Sequence, residues 1–179
     1  AVSYGPYRAG QAPGMRGPSD AEVLEDLRII ARYWSLIRVY GADDDSERIL
    51  SIIARHELPI RVILGVWLAP EEDSPEQRKA NTQQVLRGIQ LTNRYRGVVI
   101  SVSVGNETQV YWSGHRMQPE NLIRYIRAMR KAVPVPVTTA DDYNFWNKQE
   151  SEAVASEVDF IVSHMHPLWN GQQLGSAIG

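Results

Sequence analysis

"VVISVSVGNETQ", Val98 to Gln109, runs for seven residues as strand sequence and then places a glutamate behind Gly105-Asn106, where the chain must leave the sheet. Counted with the two-residue period of a strand, Val98, Ile100, Val102 and Val104 share one face, and Ser101, Ser103, Gly105 and Glu107 share the other. One face is apolar; the other is small and polar. Strands covered by helices on both faces read as continuous apolar runs, whereas a barrel strand can turn small polar residues toward a crowded axis and the floor of an active site. The stretch therefore predicts a barrel strand that delivers Glu107 to its C-terminal rim. A lone glutamate is usually a solvated surface charge, so the rest of the chain has to carry the argument for chemistry.

Short β-branched runs alternate with amphipathic segments along the whole chain, the pattern of βα units feeding a parallel sheet. Strands are predicted at "VSYG" from Val2, "LIRVYG" from Leu36, "IRVILGVWL" from Ile60, "VVISVSVG" from Val98, "VPVTTA" from Val135 and "VDFIVSH" from Val158. Between them, Ser19 with Glu22 and Ser74 with Gln77 fit capping boxes, and Pro75 and Pro119 stand as first-turn prolines, so four helices are predicted. In "PENLIRYIRAMRKAV", Leu122, Ile123, Ile126, Met129 and Val133 follow helical spacing. That leaves Arg124, Arg127, Arg130 and Lys131 as a solvated basic face that needs no acidic partner. Asp43, Asp44 and Asp45 precede Ser46 at a helix start, where negative charge complements the dipole; the spacing of a calcium-binding hand is absent. Tyr33 and Trp34 are expected in the core, whereas Tyr111, Trp112 and Trp146 suit core or cleft equally.

An open doubly wound sheet and a closed barrel both accept this order. The small polar face of the fourth strand favours the barrel, and "YGPYRAGQAPG" after the first strand lacks the dinucleotide-binding spacing. The prediction is an α/β fold, a (β/α)8 TIM barrel of which about six βα units are present. Residues 1–179 are read as one catalytic-type barrel domain without strands seven and eight, because six such units fall short of the roughly 250 residues of a typical barrel.

With 43% hydrophobic residues, 22% charged residues and a net charge of −2, the chain gives no electrostatic reason to expect nucleic acid or an anionic membrane as partner. The absence of cysteine excludes disulfides, thiolate metal sites and a cysteine nucleophile. The longest apolar run, "VILGVWLA", is too short to span a bilayer, so no membrane contact is expected from this segment. A start at Ala1 rather than methionine fits processing or excision, which favours a secreted or periplasmic protein, or a soluble domain of a larger membrane protein.

Barrel enzymes carry their reacting groups at the C-terminal ends of strands and in the loops that follow. Those ends hold Tyr4, Tyr7 and Arg8; Arg38 and Tyr40; Trp67; Asn106 and Glu107; Asp141 and Asp142; and His164, His166 and Trp169. Aromatics, amides, an arginine and carboxylates suit a sugar, whose C–H faces stack on rings and whose hydroxyls need fixed donors and acceptors. Arg38 suits direct sugar contact and a structural inward role equally. His164 and His166, two apart, can be drawn with Asp141 or Asp142 as a metal site, but two histidines without a fixed third ligand fall short of one. No metal and no cofactor is expected.

"SYGPYRAGQAP", "IRVYG", "LGVWL", "VGNE", "PVTTAD" and "HMHPLW", in this order over nearly the whole chain, resemble glycoside hydrolase family 17, most closely its bacterial β-1,3-glucan-active branch. The resemblance implies a clan A barrel that cleaves β-glucans with retention of configuration. It implies that Glu107 is the general acid/base and that Asn106 holds the sugar 2-hydroxyl. Tyr4 and Arg38 match positions lining the subsite around the cleavage point, "TTADDYNFW" matches the segment whose Asp faces the cleft, and Trp169 matches an aromatic of the sixth-strand loop. Tyr40, Trp67, Asp141, Asp142 and His164 complete the expected substrate-binding set. His166 departs from the family, standing where plant members carry tyrosine before proline.

Retention needs a second carboxylate about 5–5.5 Å from the first. In the family it is a glutamate at the end of strand seven; here no Asp or Glu follows Asp159, so the nucleophile is expected beyond residue 179. Three functions fit: a retaining β-1,3-glucanase, a β-1,3-glucan transglycosylase of the same family, and a non-catalytic glucan-binding module. In each the partner is a β-glucan oligo- or polysaccharide.

Overall fold

The computed structural model of the protein describes residues 1–15, 17–166, 169, 171, 173 and 175. Six strands form one sheet: β1 (Val2–Ser3), β2 (Leu36–Arg38), β3 (Arg61–Val66), β4 (Val99–Asn106), β5 (Val137–Asp142) and β6 (Val162–His164). Every neighbouring pair is parallel, and the spatial order equals the chain order. A doubly wound sheet reverses its strand order at a switch point. Here the order never reverses, so the sheet winds one way as the wall of a (β/α) barrel, with β1 and β6 as its two edges among the described residues.

The crossovers are α1 (Asp20–Ile30), α2 (Asp44–Arg55), α3 (Pro75–Arg94) and α4 (Pro119–Ala132), then two single turns, α5 (Tyr143–Trp146) and α6 (Glu152–Ala155), before β6. Ser19 and Glu22 form the reciprocal capping box at α1. At α3 only half of the second box exists. Ser74 accepts from the Gln77 amide at 3.1 Å, but the Gln77 side chain turns forward to Asn81 Oδ1 at 3.0 Å. Asp43 caps α2 by accepting from the Ser46 amide at 2.8 Å, as the acidic run predicts. Such caps contribute about 1 kcal/mol each.

The core lies between helices and sheet. Leu27, Ile49, Leu50, Leu91, Leu122, Ile126 and Met129 from α1 to α4 are fully buried against Val62, Leu64 and Val66 of β3 and Val102 and Val104 of β4. Each large apolar side chain contributes about 1.5–3 kcal/mol.

Three expectations are corrected. Tyr33 and Trp34 are 71% and 45% exposed, set edge to face on each other in the turn between α1 and β2. The arginines of α4 do have acidic partners: Arg124 meets Glu71, Arg127 meets Glu157 at 2.5 Å and Arg130 meets Asp159 at 2.9 Å. Those carboxylates lie about thirty to fifty residues away in the chain and only the fold brings them up. Finally, Ile100 is 41% exposed rather than on a continuous apolar face. Val62 pairs with Val99 but Ile63 with Ser101, so Ile100 is the extra residue of a bulge.

Candidate active site

The C-terminal end of β4 contains a second bulge. Ser103 pairs with Thr138 and Asn106 with Ala140, three steps on β4 against two on β5. Gly105 takes up the difference at φ +81°, a left-handed conformation that glycine adopts without steric cost. The slip overturns the expectation that Gly105 shares the inward face with Glu107. A Cβ at Gly105 would meet Thr108 Cγ2 at 3.0 Å and Leu122 Cδ1, on α4, at 3.3 Å. Glu107 follows at φ +49°, with its amide donating to Ala140 O at 2.8 Å. The two unusual residues aim Asn106 and Glu107, consecutive in sequence, into one network.

Arg38, 5% exposed, is the hub. Its Nη2 donates to Asn106 Oδ1 at 2.8 Å, its Nη1 lies 2.9 Å from His164 Nε2, and its guanidinium stacks on the Tyr40 ring at 5.0 Å. His164 Nδ1 in turn lies 2.8 Å from Glu107 Oε1. Burial draws the Arg38 guanidinium below its ordinary pKa, against the opposing pull of Tyr40 and Glu107. Of the expected residues, Arg38, Tyr40, Asn106, Glu107 and His164 thus form one connected group. The Tyr40 backbone lies directly over β3, where a Cβ at Gly65 would come within 2.4 Å of it.

Asp141 and Asp142 do not open onto this group. Asp141 is fully buried and accepts from the amides of Gln109 at 2.8 Å, Val110 at 3.1 Å and Asp142 at 2.9 Å. It braces the loop that follows Glu107, whose buried amides need an acceptor. Burial pushes its carboxyl up to about 6; the three amides pull the other way, and the charge of Glu107 adds to the rise. Asp142, also buried, caps α5 by accepting from the Asn144 amide at 2.9 Å. Both expected cleft-facing carboxylates are thus engaged by backbone amides.

Aromatic surfaces lie on both sides. Tyr4, Tyr7, Tyr40 and Trp67 line a cavity of about 620 Å³ at the ends of β1 to β3. The Tyr4 hydroxyl commits its proton to Asp26 of α1 at 3.0 Å, and burial, then Asp26, raise its pKa. Trp67 meets His115 edge to face at 4.5 Å. On the β6 side Trp169, 87% exposed, stacks on His166 at 5.0 Å with 22° between the rings. Pro167 and Leu168 of the "HMHPLW" segment lie outside the described residues. Tyr111 and Trp112 are exposed and in mutual edge contact, whereas Trp146 packs on the core and donates to Val162 O at 3.1 Å.

Among the described residues, Glu107, His164 and His166 bring one ligand atom each within 4.8 Å of one another. The third member of any metal reading is thus Glu107, not Asp141 or Asp142.

The family model for the BtgE/BtgC glycoside hydrolase domain matches residues 1–179. The chain belongs to this glycoside hydrolase family. The resemblance to glycoside hydrolase family 17 is borne out. A curated relative within reach is the glucan endo-1,3-beta-glucosidase btgC of Emericella nidulans, 28% identical over 171 residues, which cover 90% of this chain and 25% of the relative. The fold matches an endo-laminarinase from Formosa Hel1_33_131 (TM-score 0.81, 20% identity, 95% of this chain and 50% of that one). It also matches a glycoside hydrolase family 17 β-1,3-glucanosyltransferase from Rhizomucor miehei (TM-score 0.74, 22% identity, 97% and 59%). The chain spans about a quarter to a half of the length of the curated relatives it matches.

Two further contributors in this glycoside hydrolase domain escape a reading of strand ends. Glu71, fully buried in the β3–α3 loop, accepts from Asn81 at 2.7 Å and Tyr125 at 2.6 Å and pairs with Arg124. Burial pushes its carboxyl up, but the hydrogen bonds from Tyr125, Asn81 and Arg124 outweigh that and hold it below its ordinary pKa. The pairing anchors the loop that begins at Trp67. His115 is the second; its only signal is an aromatic residue in the loop after Glu107.

Proposed function

We propose that this domain acts on β-1,3-glucan as a retaining glycoside hydrolase or transglycosylase, with Glu107 as general acid/base. The observation that carries the reading is the carriage of Glu107: a carboxylate at the C-terminal rim of the fourth barrel strand, where such folds keep their chemistry, held by His164 through Oε1. Its Oε2 has no partner among the described residues and faces the task of protonating the departing glycosidic oxygen. Asn106, fixed by Arg38, keeps an amide beside the reacting carbon, and Trp169, Tyr40 and Trp67 offer stacking surface. The relatives named above carry β-1,3-glucan activity in their names, which supports the substrate.

The attacking carboxylate belongs, in this proposal, to a strand that pairs at the open edge of β6, about 5–5.5 Å from Glu107. It forms the glycosyl-enzyme bond as Glu107 gives its proton to the leaving oxygen. Glu107 then takes a proton from water or from an acceptor sugar hydroxyl as that oxygen displaces the enzyme carboxylate. Incubation of the domain, complete with that strand, with laminari-oligosaccharides and chromatography of the products tests this: shorter products mean hydrolysis, longer ones transfer. Glu107→Gln should lower turnover by roughly 10²–10⁴-fold; unchanged turnover would refute the assignment, and binding without any product would favour a glucan-binding module.

A further inference from the structure

Arg38, His164 and Glu107 form a chain of contacts at 2.9 and 2.8 Å whose hydrogen positions follow from donor inventory alone. A guanidinium has five N–H donors and no acceptor. Facing Arg38 Nη1, the Nε2 of His164 therefore accepts, and the ring proton sits on Nδ1, where it donates to Glu107 Oε1. A proton on Nε2 would set two donors against each other at 2.9 Å. Arg38 is itself held, by Asn106 through Nη2 and by the Tyr40 ring, and is buried, so it cannot swing away at little cost.

We infer that Arg38 is a positioning residue that acts through His164: it fixes the Nδ1–H tautomer, which orients the Glu107 carboxylate and withholds the Glu107–His164–His166 cluster from divalent metal. By composition that cluster is a two-histidine, one-carboxylate set, and its ligand atoms lie within 4.8 Å. His164 Nδ1 is the ring nitrogen that faces Glu107, with Nε2 turned to Arg38, so metal capture beside that carboxylate needs Nδ1 as a bare lone pair and the proton on Nε2, against Arg38. The arginine thus keeps a carboxylate free for proton transfer where zinc would otherwise compete for it. The catalytic part of this inference rests on Glu107 being the acid/base; the tautomer and the metal exclusion do not.

The test uses protein labelled with ¹⁵N histidine, with the His164 resonances assigned by their loss in His164→Gln. Long-range ¹H–¹⁵N correlation should show a protonated Nδ1 and an accepting Nε2 in the wild type and in Arg38→Lys, which still donates. In Arg38→Met, Nδ1 still donates to the Glu107 carboxylate but Nε2 no longer faces a donor, so Nε2 should become open to protonation. A shift of the proton on metal binding then meets no opposing donor, and Zn²⁺ binding by calorimetry should tighten roughly ten- to a hundredfold, then fall back in Arg38→Met/His166→Ala. In turnover, His164→Leu should lose roughly a hundredfold in kcat with KM little changed. His164→Gln, whose amide can accept from Arg38 and donate to Glu107, should recover most of it. A wild-type ring protonated at Nε2, or Zn²⁺ binding as tight in the wild type as in Arg38→Met, would overturn the inference. Should Glu107→Gln remain active, the acid/base reading falls while the tautomer and zinc results still decide this one.

Discussion

Gly105→Ala should damage both stability and activity, because Gly105 creates the slip that turns Glu107 into the site. Two costs add. A residue with a Cβ at φ +81° loses about 1–2 kcal/mol to the left-handed conformation. The new methyl would stand 3.0 Å from Thr108 Cγ2 and 3.3 Å from Leu122 Cδ1. Both neighbours are fully buried and have nowhere to move, so overpacking adds about 1–3 kcal/mol. The total is about 2–5 kcal/mol, which in a domain of this size lowers Tm by roughly 4–20 °C. The chain can escape part of this only by undoing the bulge, which pulls Asn106 from Arg38 and Glu107 from His164. Stability is therefore traded against geometry, and turnover of laminari-oligosaccharides should fall even in molecules that stay folded. Urea denaturation and product assays read the two effects separately. Gly97→Ala is the matched control: no atom lies within 4 Å of its Cβ position and its φ is not left-handed, so it should stay within about 0.5 kcal/mol of wild type. Gly105→Ala behaving like that control in both assays would refute the reasoning.

Asp141→Asn should expose a pH signature. The folded carboxyl titrates near 6 against about 3.9 unfolded, so between those values the folded state holds more protons and wild-type stability falls as pH rises, by about 3 kcal/mol in total. The wild-type minus Asp141→Asn difference in urea stability should therefore shrink from pH 4 to pH 7; a flat difference would count against it. Glu71→Gln should cost about 2–3 kcal/mol, since the buried Tyr125 hydroxyl and the Arg124 guanidinium lose their shared carboxylate; thermal melts measure this. Trp169→Ala, at an exposed position, should leave Tm unchanged while weakening laminari-oligosaccharide binding roughly tenfold; calorimetry that finds equal affinity would remove Trp169 from the substrate surface.

The parallel strand order and the helix starts were legible because they rest on local signals: β-branched runs, Ser19 with Glu22, Pro75, Pro119 and the Asp43 cap. The place of Glu107 at the C-terminal end of the fourth strand was legible as well, but by an argument only half right. The two-residue count carries Ser101 and Ser103 correctly and then fails at Gly105, since a bulge is a statement about register with β5 that no single strand contains. Asp141 and Asp142 read as two cleft carboxylates because both lie at a strand end. Whether an aspartate faces a ligand or a pair of backbone amides depends on where the loop from Gln109 to Val110 folds back, 31 and 32 residues earlier in the chain. The carboxylate partners of Arg124, Arg127 and Arg130 were hidden in the same way.

Glu107 itself occupies a left-handed conformation that costs a residue with a side chain about 1–2 kcal/mol, and such strain persists only where the surroundings over-determine it. Here four strands do so. The Glu107 amide is bound to β5 at Ala140, its carboxylate to β6 at His164, His164 to β2 at Arg38, and Arg38 back to β4 at Asn106, while Asp141 holds the amides just downstream. The loop of contacts closes on itself, so displacing any one member strains the others. A proton donor held this way needs little reorganisation at the moment of reaction, which is where fixed polar groups gain most over solvent. On the proposed reading of Glu107 as the acid, that half of a retaining site is therefore held rigidly within these six strands, and the geometry that remains to be set is the single distance to the attacking carboxylate.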